Sequence, residues 1–274
     1  MTVAIPVRND ASNLRKCLPR LLAFQHIFVI DSASSDDTRQ IAEAHGARVL
    51  DFAWNGKFPK KRNWFLQNTQ LNTEWILFLD ADEFVDARFC DEVRTEISNT
   101  GKVGFWLNYT NHFLGQPLKF GVPQRKLALF RADAGEYERI DEDHWSGLDM
   151  EVHEHPVLVG ETGEISSPID HDEDRGLAKF IDRHAQYAAW EARRWALLNT
   201  PWTSASGPSL TQRQHFKYRH VQRWWYPAFY FLYAYIMRLG FLDGRAGFAY
   251  AVLKSWYFYL IRLMIHEHRD QLPR

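Results

Sequence analysis

The chain is poor in cysteine and in net charge, and it lacks a leader-like start. Its two cysteines, Cys17 and Cys90, cannot build a disulfide framework, which fits a reducing compartment. The first residues lack the basic segment and long apolar stretch of a secretory signal, so we expect a cytoplasmic location. Basic residues are interleaved with apolar runs instead of forming a polar patch, which argues against nucleic-acid binding.

The net charge of −1 hides an asymmetry along the chain. Residues 211–274 hold 10 Lys/Arg and 3 Asp/Glu, whereas residues 1–210 hold 23 and 31. The same C-terminal segment holds 17 of the 41 aromatic residues. A basic, aromatic-rich segment attached to an acidic body predicts two parts with separate roles, divided near residue 200.

Strand and helix signals alternate over the first hundred residues, which predicts βαβ units and a mostly parallel sheet. The predicted strands are 2–7, 27–30, 47–51 and 75–79, and the predicted helices are 10–23, 38–45, 59–68 and 87–98. Between 101 and 171 the pattern changes to strands at 103–110 and 126–131 between dense turns. This change predicts an antiparallel extension. A long helix is predicted at 177–198, followed by a linker at 200–208.

Acidic residues close the apolar run at 74–79. Asp80, Asp82 and Glu83 follow what reads as a buried strand, and open α/β sheets bind ligands at the carboxyl ends of their strands. Two carboxylates at i and i+2 can share one hard cation, such as Mg²⁺ or Mn²⁺, together with waters and a diphosphate. Acids are also favoured at a helix N-terminus, so this segment by itself has a purely structural alternative.

Two further segments carry candidate binding residues. Asp31 ends the second predicted strand, where a carboxylate can accept hydrogen bonds from a nucleobase or ribose. Lys57, Lys60, Lys61 and Arg62 form a basic cluster that would neutralise a nucleotide diphosphate. In isolation such a run is more typical of an exposed helix face.

Taken in order, four segments resemble the motifs of family 2 glycosyltransferases. They are Ala4-Ile5-Pro6-Val7-Arg8-Asn9, Val29 to Thr38, Lys60-Lys61-Arg62-Asn63 and Leu79-Asp80-Ala81-Asp82-Glu83. The spacing and the Asp-Ala-Asp-Glu variant most resemble bacterial members that build lipopolysaccharide cores and exopolysaccharides. The resemblance implies a GT-A fold: a mixed α/β sheet flanked by helices, here a catalytic domain over 1–200.

The resemblance also implies roles for individual residues. Asp31 would hold the base or ribose of a nucleotide-sugar, Asp80 would bridge to the diphosphate, and Asp82 would bind a divalent cation, Mn²⁺ or Mg²⁺. His171 is the candidate for a further metal ligand, because relatives place a histidine at a comparable distance. The full set expected to bind donor is Pro6, Val7, Asn9, Asp31, Lys60, Arg62, Asp80 and Ala81.

The segment 145–155 is the second dense constellation of acids and histidines. Inverting sugar transfer needs a carboxylate to take the proton of the acceptor hydroxyl. Glu154 is the preferred base, because a Val-His-Glu sequence recurs here in relatives, and Asp149 and Glu151 remain alternatives. His153, His155 and His171 also allow a zinc site, which the lack of a His-Glu-x-x-His helix disfavours.

The C-terminal region 201–274 is predicted to associate with a membrane through helices. Residues 224–237 form an uncharged run that would span roughly 21 Å as a helix, short of a bilayer core of roughly 30 Å. Residues 248–265 are again apolar but include Lys254 and Arg262. This composition fits helices lying in the membrane interface, and the alternatives are a buried hairpin or a dimer interface. The segment resembles the C-terminal parts of glycosyltransferases that modify lipid-linked acceptors.

The leading hypothesis is therefore an inverting, metal-dependent glycosyltransferase at the cytoplasmic face of the inner membrane. Its partners would be a nucleotide-sugar, with uridine diphosphate as the default, and a lipopolysaccharide or lipid-linked acceptor in cell-envelope synthesis. A sugar nucleotidyltransferase is an alternative, but Pro6-Val7-Arg8-Asn9 stands where that class has a Gly-rich phosphate loop. A non-catalytic membrane-bound scaffold is the other alternative.

Overall fold

The structure is a computed structural model that describes residues 1–140, 142, 145–152, 154–172, 176–199 and 210–271. The first four apolar runs form the parallel half of its sheet. The strands are β1 (Thr2–Val7), β2 (His26–Asp31), β3 (Arg48–Asp51) and β4 (Trp75–Phe78). They lie in the order β3-β2-β1-β4, all parallel, with Val7 paired to Asp31. Continuous burial of β1 and β4 explains their unbroken apolar sequence.

Helices follow these strands as predicted, with shifted ends. They are α1 (Ala11–Cys17), α2 (Thr38–Ala44) and α3 (Lys61–Asn68). The prediction of one helix over 10–23 was wrong in its second half, because α1 passes into a 3₁₀ turn, Leu18–Leu21, whose second residue is Pro19. Helix α3 begins after Lys60, whose backbone is extended.

The sheet continues with antiparallel strands, as the middle segment predicted. The remaining elements of this region are β5 (Glu83–Phe84), α4 (Ala87–Ser98), β6 (Gly104–Phe113), β7 (Gln116–Leu118), β8 (Arg125–Arg131), β9 (Gly135–Tyr137), β10 (Pro156–Leu158) and β11 (Thr162–His171). Beyond β4 the order is β8-β6-β11-β5, and β9 and β10 form a separate antiparallel pair. The sheet is therefore mixed. Asp86 caps α4, since its carboxylate accepts the Phe89 N–H at 2.8 Å.

The chain divides into two compact units. The first comprises Met1–Thr110 and Gln124–Asp172, and the second comprises Asn111–Pro123 and Glu173–Arg274. Helix α5 (Gly176–Leu198) belongs to the second unit, so the structural division differs from the predicted boundary at residue 200. The reason is that Ala188, Ala192 and Trp195 of α5 pack in a core with C-terminal aromatic residues. The predicted linker 200–208 lies outside the described residues.

The described part of the second unit also includes the α-helices α6 (Gln212–His220), α7 (Tyr226–Leu232) and α8 (Gly244–Gln271). The predicted run 224–237 forms α7 and then a π-helical turn, Tyr233–Met237, instead of one regular helix. Tyr257, Phe258 and Ile261 of α8 pack on α5 residues in the core of this unit. Among the described residues one segment, Gly240–Glu267, is long and apolar enough to cross a membrane.

Candidate active site

The carboxyl ends of β1, β2 and β4 meet at one edge of the sheet, because the three strands are parallel neighbours. Asp31, the last residue of β2, is buried, and its carboxylate accepts the Ser34 N–H at 3.1 Å. Asn9 joins the loop after β1 to the loop after β2. Its backbone N–H donates to Ser34 Oγ, and its side-chain Oδ1 accepts the Ser35 N–H, both at 2.8 Å. The predicted nucleoside-binding residues of β1 and β2 therefore lie together.

Three members of the basic cluster lie at the start of α3 and are buried instead of forming an exposed helix face, whereas Lys57, which precedes the helix, is exposed. Lys60, Lys61 and Arg62 are each at least nine-tenths buried, and each pairs with a carboxylate from elsewhere in the chain. Lys61 Nζ lies 3.1 Å from Asp149 Oδ2 and donates to the Val7 carbonyl at the same distance. Burial lowers the pKa of Lys61, although Asp149 opposes that shift.

Glu151 fixes the N-terminus of α3. Its two carboxylate oxygens accept the backbone N–H groups of Arg62, at 2.9 Å, and of Asn63, at 3.0 Å. These are the second and third residues of the helix, whose N–H groups have no partner within it. The Asn63 side chain in turn pairs with both backbone groups of Tyr137. A carboxylate 88 residues distant in sequence thus caps the helix that carries the basic cluster.

Asp80 is held between two cations. Arg62 Nη2 donates to Asp80 Oδ1 at 2.6 Å, and Lys126 Nζ donates to Asp80 Oδ2 at 2.7 Å. Burial alone would raise the pKa of Asp80, but Lys126 and Arg62 hold that pKa well below its usual range. Lys126 also binds the buried Glu83, whose pKa burial raises to about 7 against the opposing effect of Lys126. Asp80 is therefore ionised at neutral pH.

Asp82, which follows Asp80 after the end of β4, lies close to His171 of β11. Asp82 Oδ1 lies 3.7 Å from His171 Nε2, because β5 and β11 pair so that His171 lies opposite Glu83. Within the described part of the chain there is no group of three His, Cys, Asp or Glu residues able to hold a metal ion. An oxygen and an imidazole nitrogen at this separation nevertheless fit a divalent cation that takes its other ligands from diphosphate and water.

The three candidate bases have different surroundings. The Glu154 side chain is 2% exposed, pairs with Lys60 Nζ at 2.7 Å and accepts the Val152 N–H at 3.0 Å. Burial raises the pKa of Glu151, the helix-capping residue. Asp149 is the most open, at 26% side-chain exposure, and accepts a hydrogen bond from Ser32 Oγ as well as pairing with Lys61. The structure brings all three acids against the basic cluster. His153 lies outside the described residues.

Three contributors were not recognised in the sequence. Lys126 of strand β8 binds Asp80. Glu142 shares the Lys60 ammonium group with Glu154, and Ser32 donates a hydrogen bond to Asp149. A single lysine in a strand and an acid among turn residues give no local signal, since their partners lie at least 40 residues away. Ala81, predicted to line the donor site, is buried between Asp80 and Asp82.

Comparisons with known proteins identify the family to which the sequence is similar. The family model described as Glycosyl transferase family 2 matches residues 2–148, just over half of the chain. An uncharacterized glycosyltransferase of Rickettsia felis is 33% identical over 90 residues, covering 32% of this chain and 31% of that protein. A TPR repeat-containing protein of Synechococcus elongatus is 29% identical over 133 residues, covering 48% of this chain and 31% of that protein. The match thus spans about a third of the length of these curated relatives.

A solved structure extends the likeness to the fold. The mannosyltransferase PcManGT from Pyrobaculum calidifontis, in complex with GDP-Man and Mn²⁺, superposes with a TM-score of 0.50 at 14% identity. The superposition covers 99% of this chain and 87% of that one. At this identity the likeness concerns the fold alone, and it confirms the predicted GT-A architecture.

Proposed function

Because the chain belongs to glycosyl transferase family 2, we propose that it transfers a sugar from a nucleotide-diphosphate donor to an acceptor hydroxyl with inversion at the anomeric carbon. The observation that carries this proposal is the acidic strand end, where Asp80 lies between two cations and Asp82 lies beside His171. The proposal is supported by the position of Asp80 directly after β4, because open α/β sheets bind ligands at the carboxyl ends of their strands.

The donor would lie along the carboxyl ends of β1, β2 and β4. Asp31 and the Asn9–Ser35 loop pair would hold the nucleoside, and the Arg62 and Lys126 cations near Asp80 would offset the diphosphate charge. Uridine diphosphate is the default nucleotide, and the GDP-Man complex of the Pyrobaculum mannosyltransferase makes guanosine diphosphate the second candidate. The remaining donor contacts would come from Pro6, Val7, Lys60 and Ala81.

A divalent cation fits the donor set at Asp82 and His171. When bound, Mn²⁺ or Mg²⁺ supplies Lewis-acid stabilisation of the departing diphosphate. The Mn²⁺ in the Pyrobaculum structure supports this choice. Hard oxygen ligands with one imidazole suit both ions, and both usually retain water and phosphate oxygens among their ligands.

The transfer needs one carboxylate to act as general base. It would take the proton of the acceptor hydroxyl while that oxygen forms a bond to the anomeric carbon and the bond to the nucleotide diphosphate breaks. Glu154 is the proposed base, with Lys60 holding one of its oxygens. Since the Asp149 carboxylate is more open, Asp149 is the competing candidate.

The acceptor is proposed to be a membrane-linked glycan or lipid carrier used in cell-envelope polysaccharide synthesis, reached from the cytoplasmic face of the inner membrane. The apolar helix segment Gly240–Glu267 and the aromatic, basic composition of 211–274 support this location. The functional division into a catalytic domain over 1–200 and a membrane-associating region over 201–274 belongs to the same proposal.

A donor-hydrolysis screen tests the proposal. Purified protein in detergent is incubated with uridine and guanosine diphosphate sugars, with Mn²⁺, Mg²⁺ or a chelator. We expect release of nucleoside diphosphate from at least one donor, dependent on the cation. Absence of release from every donor, by protein that remains folded, would contradict the proposal.

A further inference from the structure

The turn between α7 and α8 exposes a dense apolar surface. Met237 is 69% exposed and Leu242 is 54% exposed, and their apolar neighbours are also open to solvent. We name this surface the apolar tip; it comprises Ile236, Met237, Leu239, Phe241 and Leu242. Soluble proteins seldom expose contiguous apolar patches of this kind without a partner for them.

The backbone of the apolar tip is held in a defined shape. Leu239 has a left-handed conformation with φ of 60°, which is uncommon for a residue other than glycine. Gly240 permits the close turn, because a Cβ there would lie 2.7 Å from the Ala234 carbonyl oxygen. Gly121 N–H donates to the Arg238 carbonyl at 2.9 Å. The exposed side chains are therefore presented by a constrained turn.

Asp243 attaches a second loop beside the apolar tip. Its carboxylate accepts the backbone N–H groups of Lys119, at 3.1 Å, and of Phe120, at 2.9 Å. Phe120 is itself exposed, so it adds an aromatic ring next to the tip. Asp243, the single acidic residue in 211–265, thus accepts hydrogen bonds from two backbone N–H groups.

Cations surround the apolar tip. Lys119, Arg238 and Arg245 are exposed, and the exposed Arg219 and Arg223 lie further along the same unit. An apolar centre with a cationic rim is complementary to an anionic lipid surface, in which apolar side chains enter the acyl boundary and cations meet headgroups. A second copy of this chain fits less well, since a symmetric interface would place like charges together.

We propose that the apolar tip docks the protein on an anionic bilayer interface, which deepens the proposed membrane-linked function and rests on it. Helix α8 would lie at the surface instead of crossing the bilayer. Its opposite face is already packed through Tyr257 and Ile261, and Arg262 Nε donates to the Gln222 carbonyl at 3.2 Å. Moving α8 into lipid would remove that core from the second unit.

Vesicle co-sedimentation of the full chain tests this inference. Native protein is compared on phosphatidylcholine vesicles with and without phosphatidylglycerol. The double variant Met237→Asp/Leu242→Asp should bind at least about tenfold more weakly, since two charged side chains would have to enter the interface. The control Leu22→Asp alters a side chain that is 81% exposed in the first unit and should bind as the native protein does.

A second pair of substitutions separates charge from apolar insertion. Arg238→Gln/Arg245→Gln should weaken binding to anionic vesicles by about fivefold per arginine and leave binding to neutral vesicles unchanged. Equal vesicle binding by native and Met237→Asp/Leu242→Asp proteins would overturn the inference. Two other results would also overturn it: binding that resists carbonate extraction, which indicates a spanning helix, and a dimer that the double variant dissociates.

Donor hydrolysis in detergent, measured on the same preparations, separates this inference from the proposed function. The tip variants should retain the native hydrolysis rate. Hydrolysis without tip-dependent vesicle binding would refute docking alone, whereas absence of hydrolysis from the native protein would refute the proposed function.

Discussion

Arg62 and Asp80 form an ion pair, with Nη2 and Oδ1 2.6 Å apart, and the other amino group of Arg62 donates to the Glu151 carbonyl. One guanidinium thus connects the acidic strand end to the segment that carries the candidate bases. A planar group with donors in fixed directions is needed to bind two acceptors in this way. This relationship accounts for the burial of Arg62, a residue that the sequence predicts to lie either on an exposed helix face or against a diphosphate.

Arg62→Lys tests that connection. Lysine keeps the charge but cannot reach both acceptors with fixed geometry, so Asp80 would be held less firmly. We expect the donor KM to rise about tenfold. The matched control is Arg39→Lys, which changes a partly exposed pair with Asp51 and should leave donor kinetics unaltered. An unchanged donor KM for Arg62→Lys would show that the ion pair does not contribute to donor binding.

Glu151 should behave as a helix cap and not as the catalytic base. Glu151→Ala removes acceptors from two backbone N–H groups and should cost about 1–2 kcal/mol of unfolding free energy. At roughly 2–4 °C per kcal/mol, thermal unfolding would show this loss. Asp86→Ala removes the comparable cap of α4 and serves as the control for stability without kinetic effect.

The conservative substitution Glu151→Gln distinguishes the two roles of this residue. An amide keeps an oxygen acceptor for one of the two backbone N–H groups but cannot take a proton, so part of the cap survives and a base does not. We expect Glu151→Gln to retain most of the sugar-transfer rate. Loss of transfer by the Gln variant, with thermal stability preserved, would make Glu151 the base instead.

Glu154→Gln should lower kcat for sugar transfer by about 100-fold or more, because a general base contributes that much. Asp149→Asn should have a smaller effect on kcat, since Asp149 is expected to orient Lys61 and Ser32. Transfer kinetics of both variants, with circular dichroism to confirm folding, provide the measurement. The reverse order of effects would assign proton removal to Asp149.

The two cysteines should be inert in the native protein. Burial, with a further contribution from Glu83, raises the pKa of Cys17 to about 12, and burial also raises the pKa of Cys90. Since the thiolate is the reactive form, a thiol reagent at pH 8 should label neither residue until denaturant is added. Rapid labelling of Cys17 in native protein would contradict the burial of its thiol, which lies 3.7 Å from the backbone carbonyl oxygen of Glu83 in β5.

The parallel strands could be predicted from the sequence because local sequence and burial agree there. Strand β1 was predicted with its observed bounds, and β4 ends one residue earlier than predicted, since both are short apolar runs buried along their length. Strand β11 was not predicted. Its ten residues, TGEISSPIDH, lack regular alternation and include Gly163 and Pro168, so long-range pairing instead of propensity determines this strand.

The candidate site was predictable only where a motif is contiguous. The order Asp31, basic cluster, Asp80 and Asp82 could be read directly. In the structure Asp31 and Asp80 lie at the carboxyl ends of the parallel strands β2 and β4, and Arg62 contacts Asp80. The residues that pair with them could not be predicted, because the hydrogen bond of Lys126 to Asp80 spans 46 residues of sequence and that of Glu151 to Arg62 spans 89. An acid that caps a distant helix has the same sequence appearance as a candidate base, and only its hydrogen-bond partners separate the two roles.

The most direct test of the account is cation-dependent donor turnover by Asp82→Ala. Asp82 is the proposed carboxylate ligand beside His171, and its loss should leave the fold intact while removing stabilisation of the leaving diphosphate. We predict that turnover at saturating Mn²⁺ falls by about 100-fold or more relative to the native protein. Turnover within about twofold of native, with the same Mn²⁺ dependence, would contradict the claim that this strand end binds the catalytic cation.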